Sequence, residues 1–127
     1  MDFELKYAVW SCTKACNFYC IHCAKDAGDL LPNELDTQEA KNLLAQIAGL
    51  QVPLYIAGVE PLMRKDILEL TNYTAELGMD VYLKTNGWYL DDYLADQLAA
   101  HKVKVIIGMS GNEEVQERIR GKGSFQR

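Results

Sequence analysis

Three cysteines stand in one eight-residue window, Cys16-Asn17-Phe18-Tyr19-Cys20-Ile21-His22-Cys23, with the spacing C-x3-C-x2-C. Thiols that close can share one metal centre, but three of them cannot all pair as disulfides. In an iron–sulfur cube each of four irons takes one outside ligand, usually a thiolate. Three cysteines therefore serve three irons and leave the fourth open. An open position separates a catalytic metal centre from a closed structural one, by the same logic that sorts zinc sites. The rival chemistry is a zinc knot, with His22 or Cys12 as a fourth ligand. Cys12 also precedes Cys16 by x3, but no x2 step continues that register; taken alone it reads as a buried core thiol.

Two further groups could carry chemistry. Gly58-Val59-Glu60-Pro61 ends a short apolar run. Gly58 permits close backbone approach to a ligand, and Glu60 can pair with an ammonium. Thr85-Asn86-Gly87 ends the next apolar run, in a turn-forming pair. Tyr19, Tyr55 and Tyr82 read as core or rim aromatics, and His101 as a helix-end residue facing solvent or capping carbonyls. Glu113, Glu114 and Glu117 read as a solvated helix face.

The elements that must position these groups alternate along the chain. Residues 5–12 form a short apolar strand, and residues 24–35, with Gly28, Pro32 and Asn33, an irregular connection. Asp36 followed by Glu39 makes a capping box, and Ala40, Leu43, Leu44 and Ile47 repeat at helical spacing over 37–49. A buried strand covers 52–57. A second helix covers about 64–77, with Ile67, Leu70, Thr74 and Leu77 on one face, and stops at Gly78. The third strand is 79–84. Asp91 or Asp92 caps a third helix carrying Leu94 and Leu98, and the fourth strand is 103–109. The order β-α-β-α-β-α-β predicts an α/β fold with a parallel sheet and right-handed crossovers. Four strands are too few to close a barrel of the usual eight. The expectation is one incomplete domain over 1–127, an open partial (βα) barrel whose unpaired edge strand needs a partner chain or leaves the protein poorly soluble.

At this point the chain resembles the radical S-adenosylmethionine (radical SAM) enzymes, whose signature is C-x3-C-x2-C after the first strand of a partial barrel. The flanks Trp10-Ser11-Cys12-Thr13 and Ala27-Gly28 are similar too. Gly58-Val59-Glu60-Pro61 resembles the family's Gly-Gly-Glu-Pro, with Val59 in place of a glycine and its Cβ narrowing the pocket. Thr85-Asn86-Gly87 resembles the turn that lines the cofactor site. Arg120-Gly121-Lys122-Gly123-Ser124-Phe125 resembles the family's tail after strand four. The Ser and Asp of that strand end fall here on Ile107 and Met109, with Ser110 out of register.

The resemblance implies a 4Fe–4S cluster on Cys16, Cys20 and Cys23. It implies S-adenosylmethionine held beside it by Tyr19, His22, Gly58, Val59, Glu60, Pro61, Thr85 and Asn86. One electron then cleaves the sulfonium to methionine and a 5′-deoxyadenosyl radical, which takes hydrogen from substrate. The chain most resembles the SPASM-type branch that modifies peptides or tetrapyrroles, shortened from a six-unit barrel to about four units. A cluster-binding module without turnover and a glycyl-radical activase are the alternatives. A reductant protein such as ferredoxin or flavodoxin is implied as partner.

Bulk properties fit this reading. The 127 residues are 49% hydrophobic, enough for one core. A net charge of −5 argues against nucleic acid or an anionic membrane as main partner. No apolar run approaches the ~20 residues of a membrane span. Acids near Met1 argue against an export signal, and clustered thiols point to a reducing, cytoplasmic setting.

Overall fold

A computed structural model describes residues 3–23, 28–29 and 31–126. Its elements are β1 (Ala8–Ser11), α1 (Thr37–Ala48), β2 (Leu54–Ala57), α2 (Ile67–Glu76), β3 (Val81–Thr85), α3 (Asp92–Ala100), β4 (Lys104–Ile107) and α4 (Glu113–Arg120). The strands form one parallel sheet in the order β1-β2-β3-β4. The alternation expected from sequence is observed, with shorter strands and an added fourth helix. The flank residue Ala27 and most of the first part of the loop after Cys23 lie outside the described residues.

Local chemistry sets the helix ends. Asp36 accepts a hydrogen bond from the Glu39 amide at 2.8 Å, and Glu39 accepts one from the Asp36 amide at 2.9 Å, so both orphan donors of the first turn are satisfied. Asp91 caps α3 by accepting from the Leu94 amide at 2.8 Å. The second helix starts three residues later than its apolar spacing predicts. Pro61–Met63 form a separate 3₁₀ turn, and the Asp66 side chain makes no cap bond to α2. Its carboxylate is taken by Arg64 and by the Thr37 hydroxyl. Leu77 is also less buried than its helical spacing implies; it is 37% exposed, beside Gly78 at φ +70°.

The helices cover one face of the sheet. Alternate strand residues Trp10, Leu54, Ile56, Val81 and Leu83 are buried there against Ala40, Leu44, Leu70 and Leu98. Consecutive strands joined by crossovers of one hand place α1, α2 and α3 on that side, and α4 meets the cysteine loop through the Ile119 carbonyl. The opposite face carries Val9, Tyr55, Tyr82 and Lys104 in register. There Tyr55 stacks on Tyr82 at 4.6 Å, and Lys104 lies over the Tyr82 ring at 4.6 Å. Val9 is 56% exposed, so this face has no layer over it among the described residues. At the β4 edge Ile106 and Ile107 are exposed as well.

Arg64 ties β1 to the helical layer. It is nearly fully buried, donates to the Cys12 carbonyl at 2.9 Å and the Leu35 carbonyl at 3.1 Å, and grips Asp66 with two hydrogen bonds. Burial pushes the Asp66 carboxyl up, but the hydrogen bonds from Arg64 and Thr37, with the Arg64 charge, outweigh it and hold Asp66 below its ordinary value. A carboxyl lowered in the folded state stabilises the fold above its unfolded pKa of about 3.9 and loses that contribution as pH falls through the folded pKa. Urea unfolding should show stability falling with acid below about pH 4–5 in the parent and falling less in Asp66→Asn. Arg64→Met, which strands Asp66, should cost about 3–5 kcal/mol at neutral pH.

No helix among the described residues is long and apolar enough to cross a membrane.

Candidate metal and cofactor site

The cysteine loop lies at the C-terminal end of the sheet, where parallel α/β folds gather their chemistry. It is pinned at several points. The Cys16 amide donates to the Gly28 carbonyl at 3.2 Å, and the Gly28 amide returns to Lys14 at 3.2 Å. Glu34 accepts from the Thr13 hydroxyl and the Lys14 amide. Further along, the Ile21 amide donates to the Ile119 carbonyl of α4 at 3.0 Å, and the Cys23 amide closes a turn onto Cys20 at 3.1 Å.

Cys16, Cys20 and Cys23 line one cavity of about 110 Å³ together with Phe18, Asn86 and Arg120. Among the described residues no three His, Cys, Asp or Glu side chains converge tightly enough to hold a single metal ion. Three thiols that border one cavity suit a group with several metal corners. The zinc knot loses one of its two candidate fourth ligands, Cys12, while His22 stays beside the three thiols. Cys12 is buried, its thiol donates to the Ala57 carbonyl at 3.1 Å, and burial pushes its pKa up to about 12. It is the core residue expected.

The first sulfur of the loop has its own supports. Cys16 Sγ accepts from the Phe18 amide at 3.3 Å and lies 3.8 Å from Asn86 Nδ2. Asn86 is fixed in turn, donating to Asn17 at 3.0 Å and accepting from the Trp88 amide at 2.9 Å. Such supports orient ligands and tune what they bind. Burial raises the Cys16 and Cys20 thiols above their ordinary pKa; at Cys20 the Arg120 charge opposes it. The residues present therefore fit a thiolate-held cluster.

A second cavity, about 290 Å³, adjoins the first and shares Cys23, Val59, Asn86 and Arg120 with it. Its walls come from the ends of three strands: Gly58 after β2, Thr85 closing β3 and Gly108 after β4. A larger cavity of about 360 Å³ opens at the other end of the sheet, beside Ala48 and Asp80, and carries no cysteine.

The predicted cofactor residues divide on inspection. Val59 and Asn86 line both cavities, and His22 does so while exposed. Tyr19 is 77% exposed on the far side of the loop and lines neither. Pro61 is buried as the first residue of the 3₁₀ turn.

Glu60 has a structural role that its motif did not announce. It is fully buried, and both oxygens are engaged within the protein. Oε1 accepts from the Leu62 amide at 3.0 Å and the Thr85 hydroxyl at 2.7 Å, and Oε2 accepts from the Asn86 amide at 2.7 Å. Its carboxylate is thus a joint between the ends of β2 and β3. Thr85 lines the second cavity but spends its hydroxyl on this joint and on accepting from the Gly87 amide.

Gly58 also serves the protein before any ligand. Its φ is +115°, and a Cβ there would stand 2.8 Å from the Thr13 carbonyl oxygen. The close approach is to the chain's own first loop. Gly58→Ala should cost at least about 1–3 kcal/mol in chemical denaturation, since strain and backbone contact add.

Arg120 is the main residue that the pattern of motifs left without a role. It lines both cavities, and its Nε donates to Ser110 Oγ at 2.8 Å. Gly108 makes room for it, because a Cβ there would meet a terminal nitrogen at 3.2 Å. Its place in the tail motif was the available signal. Ser110, out of register for the family's strand end, acts here through this bond. Of the acid stretch, Glu113 and Glu114 are exposed, whereas Glu117 accepts from the Gly123 amide at 2.9 Å. His101 caps the end of α3.

The sequence profile of the Radical SAM superfamily matches residues 10–127, and the chain belongs to that superfamily. It is 40% identical over 119 residues to mycofactocin maturase MftC of Mycolicibacterium smegmatis, covering 91% of this chain and 30% of that one. It is 37% identical over 121 residues to Fe-coproporphyrin III synthase of Methanosarcina barkeri, covering 92% and 30%. The chain thus spans about 30% of these curated relatives. Both names fit the branch expected from the flanking motifs. Streptococcus suis SuiB bound to S-adenosylmethionine shares the fold, with a TM-score of 0.79 at 20% identity over 94% of this chain and 28% of SuiB.

Proposed function

We propose that this chain is the first part of a radical SAM catalytic core, with the cluster on Cys16, Cys20 and Cys23 and S-adenosylmethionine in the adjoining cavity. The observation that carries the reading is that three thiols ring one cavity which opens directly onto a second, walled by the ends of β2, β3 and β4. When bound, the cluster would supply the electron that cleaves S-adenosylmethionine to methionine and a 5′-deoxyadenosyl radical for hydrogen abstraction.

The residues of the chain hold and orient. Gly58, Val59 and Asn86 shape the wall between the two cavities. Glu60 fixes that wall by fastening β2 to β3, and Arg120 sets a positive charge against the thiolates. The cofactor does the difficult chemistry, and the protein aims it. A peptide or a tetrapyrrole is the substrate class that the relatives' names support, and a cytoplasmic ferredoxin or flavodoxin is the fitting reductant.

One observation favours a second reading, a cluster-holding module without turnover: the Val59 side chain lines both cavities where the family has a glycine. Anaerobic reconstitution, reduction with dithionite and addition of S-adenosylmethionine distinguish the two. Formation of 5′-deoxyadenosine is the expected result. A loaded cluster that gives none supports the inert module.

A further inference from the structure

We propose that Lys84 is a specificity residue that recognises a carboxylate on the substrate; the assignment rests on the reading of the site just given. Lys84 is the fourth residue of β3, and the strand alternates buried and less buried positions. Its neighbours Leu83 and Thr85 are buried on the helical side. Lys84 itself is exposed on the uncovered face, beside Ile106 of β4 in register. It also lines the second cavity with Cys23, Val59 and Arg120. Its ammonium is thereby placed where the cofactor cavity meets the open interior of the partial barrel.

Among the described residues no ion pair balances the charge there. The ion pairs of the described residues join Lys6 to Glu4, Lys41 to Glu69, Arg64 to Asp66 and Lys104 to Asp80, and none includes Lys84. Among the described residues that line the cavity none is a carboxylate, and both oxygens of Glu60 are engaged within the protein. In a chain of net charge −5 a pocket lined by Lys84 and Arg120, with no acid among its described lining residues, is a local reversal of sign. Such a pocket concentrates anions.

The two cations have different neighbours. Arg120 faces the thiols, acts on Cys20 and is held by Ser110. Lys84 lies on the uncovered face of β3 opposite Ile106, and with no partner among the described residues its counter-charge is left to what enters there. A carboxylate is the group common to peptide and tetrapyrrole acids, and a charge-assisted hydrogen bond to an ammonium is among the stronger ones.

The test uses anaerobically prepared, cluster-loaded full protein. Two fluorescent probe sets of the same peptides, one with free C-terminal carboxylates and one amidated, are compared by equilibrium binding with S-adenosylmethionine present. The expected result is a preference for the free acids on the order of tenfold in the parent. That preference falls towards one in Lys84→Met and is kept in Lys84→Arg. Equal binding, or no binding, of the two sets by the parent overturns the proposal. So does Lys84→Met weakening S-adenosylmethionine while the acid preference stays, because the ammonium then serves the cofactor's own carboxylate. Failure of the underlying reading is separately visible, as protein that takes up no iron.

Discussion

Glu60→Ala is expected to lose about 3–5 kcal/mol of folding stability, and the cofactor cavity with it. The carboxylate accepts from three donors on three different residues, Leu62, Thr85 and Asn86. Alanine leaves all of them in a space from which water is excluded, since Glu60 has no exposed surface. The ends of β2 and β3 then lose their common anchor, and Asn86, which touches the sulfur of Cys16, is released. Glu60→Gln should fall between parent and alanine, at about 1–3 kcal/mol, because one amide nitrogen replaces an acceptor with a donor. Chemical denaturation measures both. A shift well under ~1 kcal/mol for alanine would show that the joint carries no weight.

The second large effect separates the four cysteines. Cys16→Ala, Cys20→Ala and Cys23→Ala should each remove most of the bound iron and sulfide from anaerobically purified protein. Cys12→Ala should keep the metal and cost about 1–2 kcal/mol of stability through a small core cavity. Iron and acid-labile sulfide per chain, measured beside an unfolding curve, resolves the set. Metal retained at parental levels in any of the first three, or lost in the Cys12 variant, would redraw the ligand set.

How much of this was legible in the sequence follows from the range of the interactions. The cysteine triplet could be read because its meaning lies in spacing along a single loop. The capping box at Asp36 and Glu39 and the buried stripe through Ala40 and Leu44 are likewise local. The partial barrel followed from alternation of such local patterns. What could not be read depends on partners distant in sequence. That Glu60 joins β2 to β3 is visible only once Thr85 and Asn86 are seen at its oxygens. Gly58 looks like a ligand-approach glycine until Thr13 is found against it. The start of α2 moved because Arg64 drew Asp66 away from the helix. Arg120 and Lys84 acquire roles only when α4 and β3 bring them to the cavity that adjoins the thiols, and no spacing rule links those positions.

The most direct measurement of the central claim is the electron paramagnetic resonance spectrum of the reduced, anaerobically reconstituted protein before and after S-adenosylmethionine is added. A 4Fe–4S signal that shifts when the sulfonium compound binds is the predicted result. A spectrum indifferent to it, or protein that carries zinc where iron should be, would contradict the assignment.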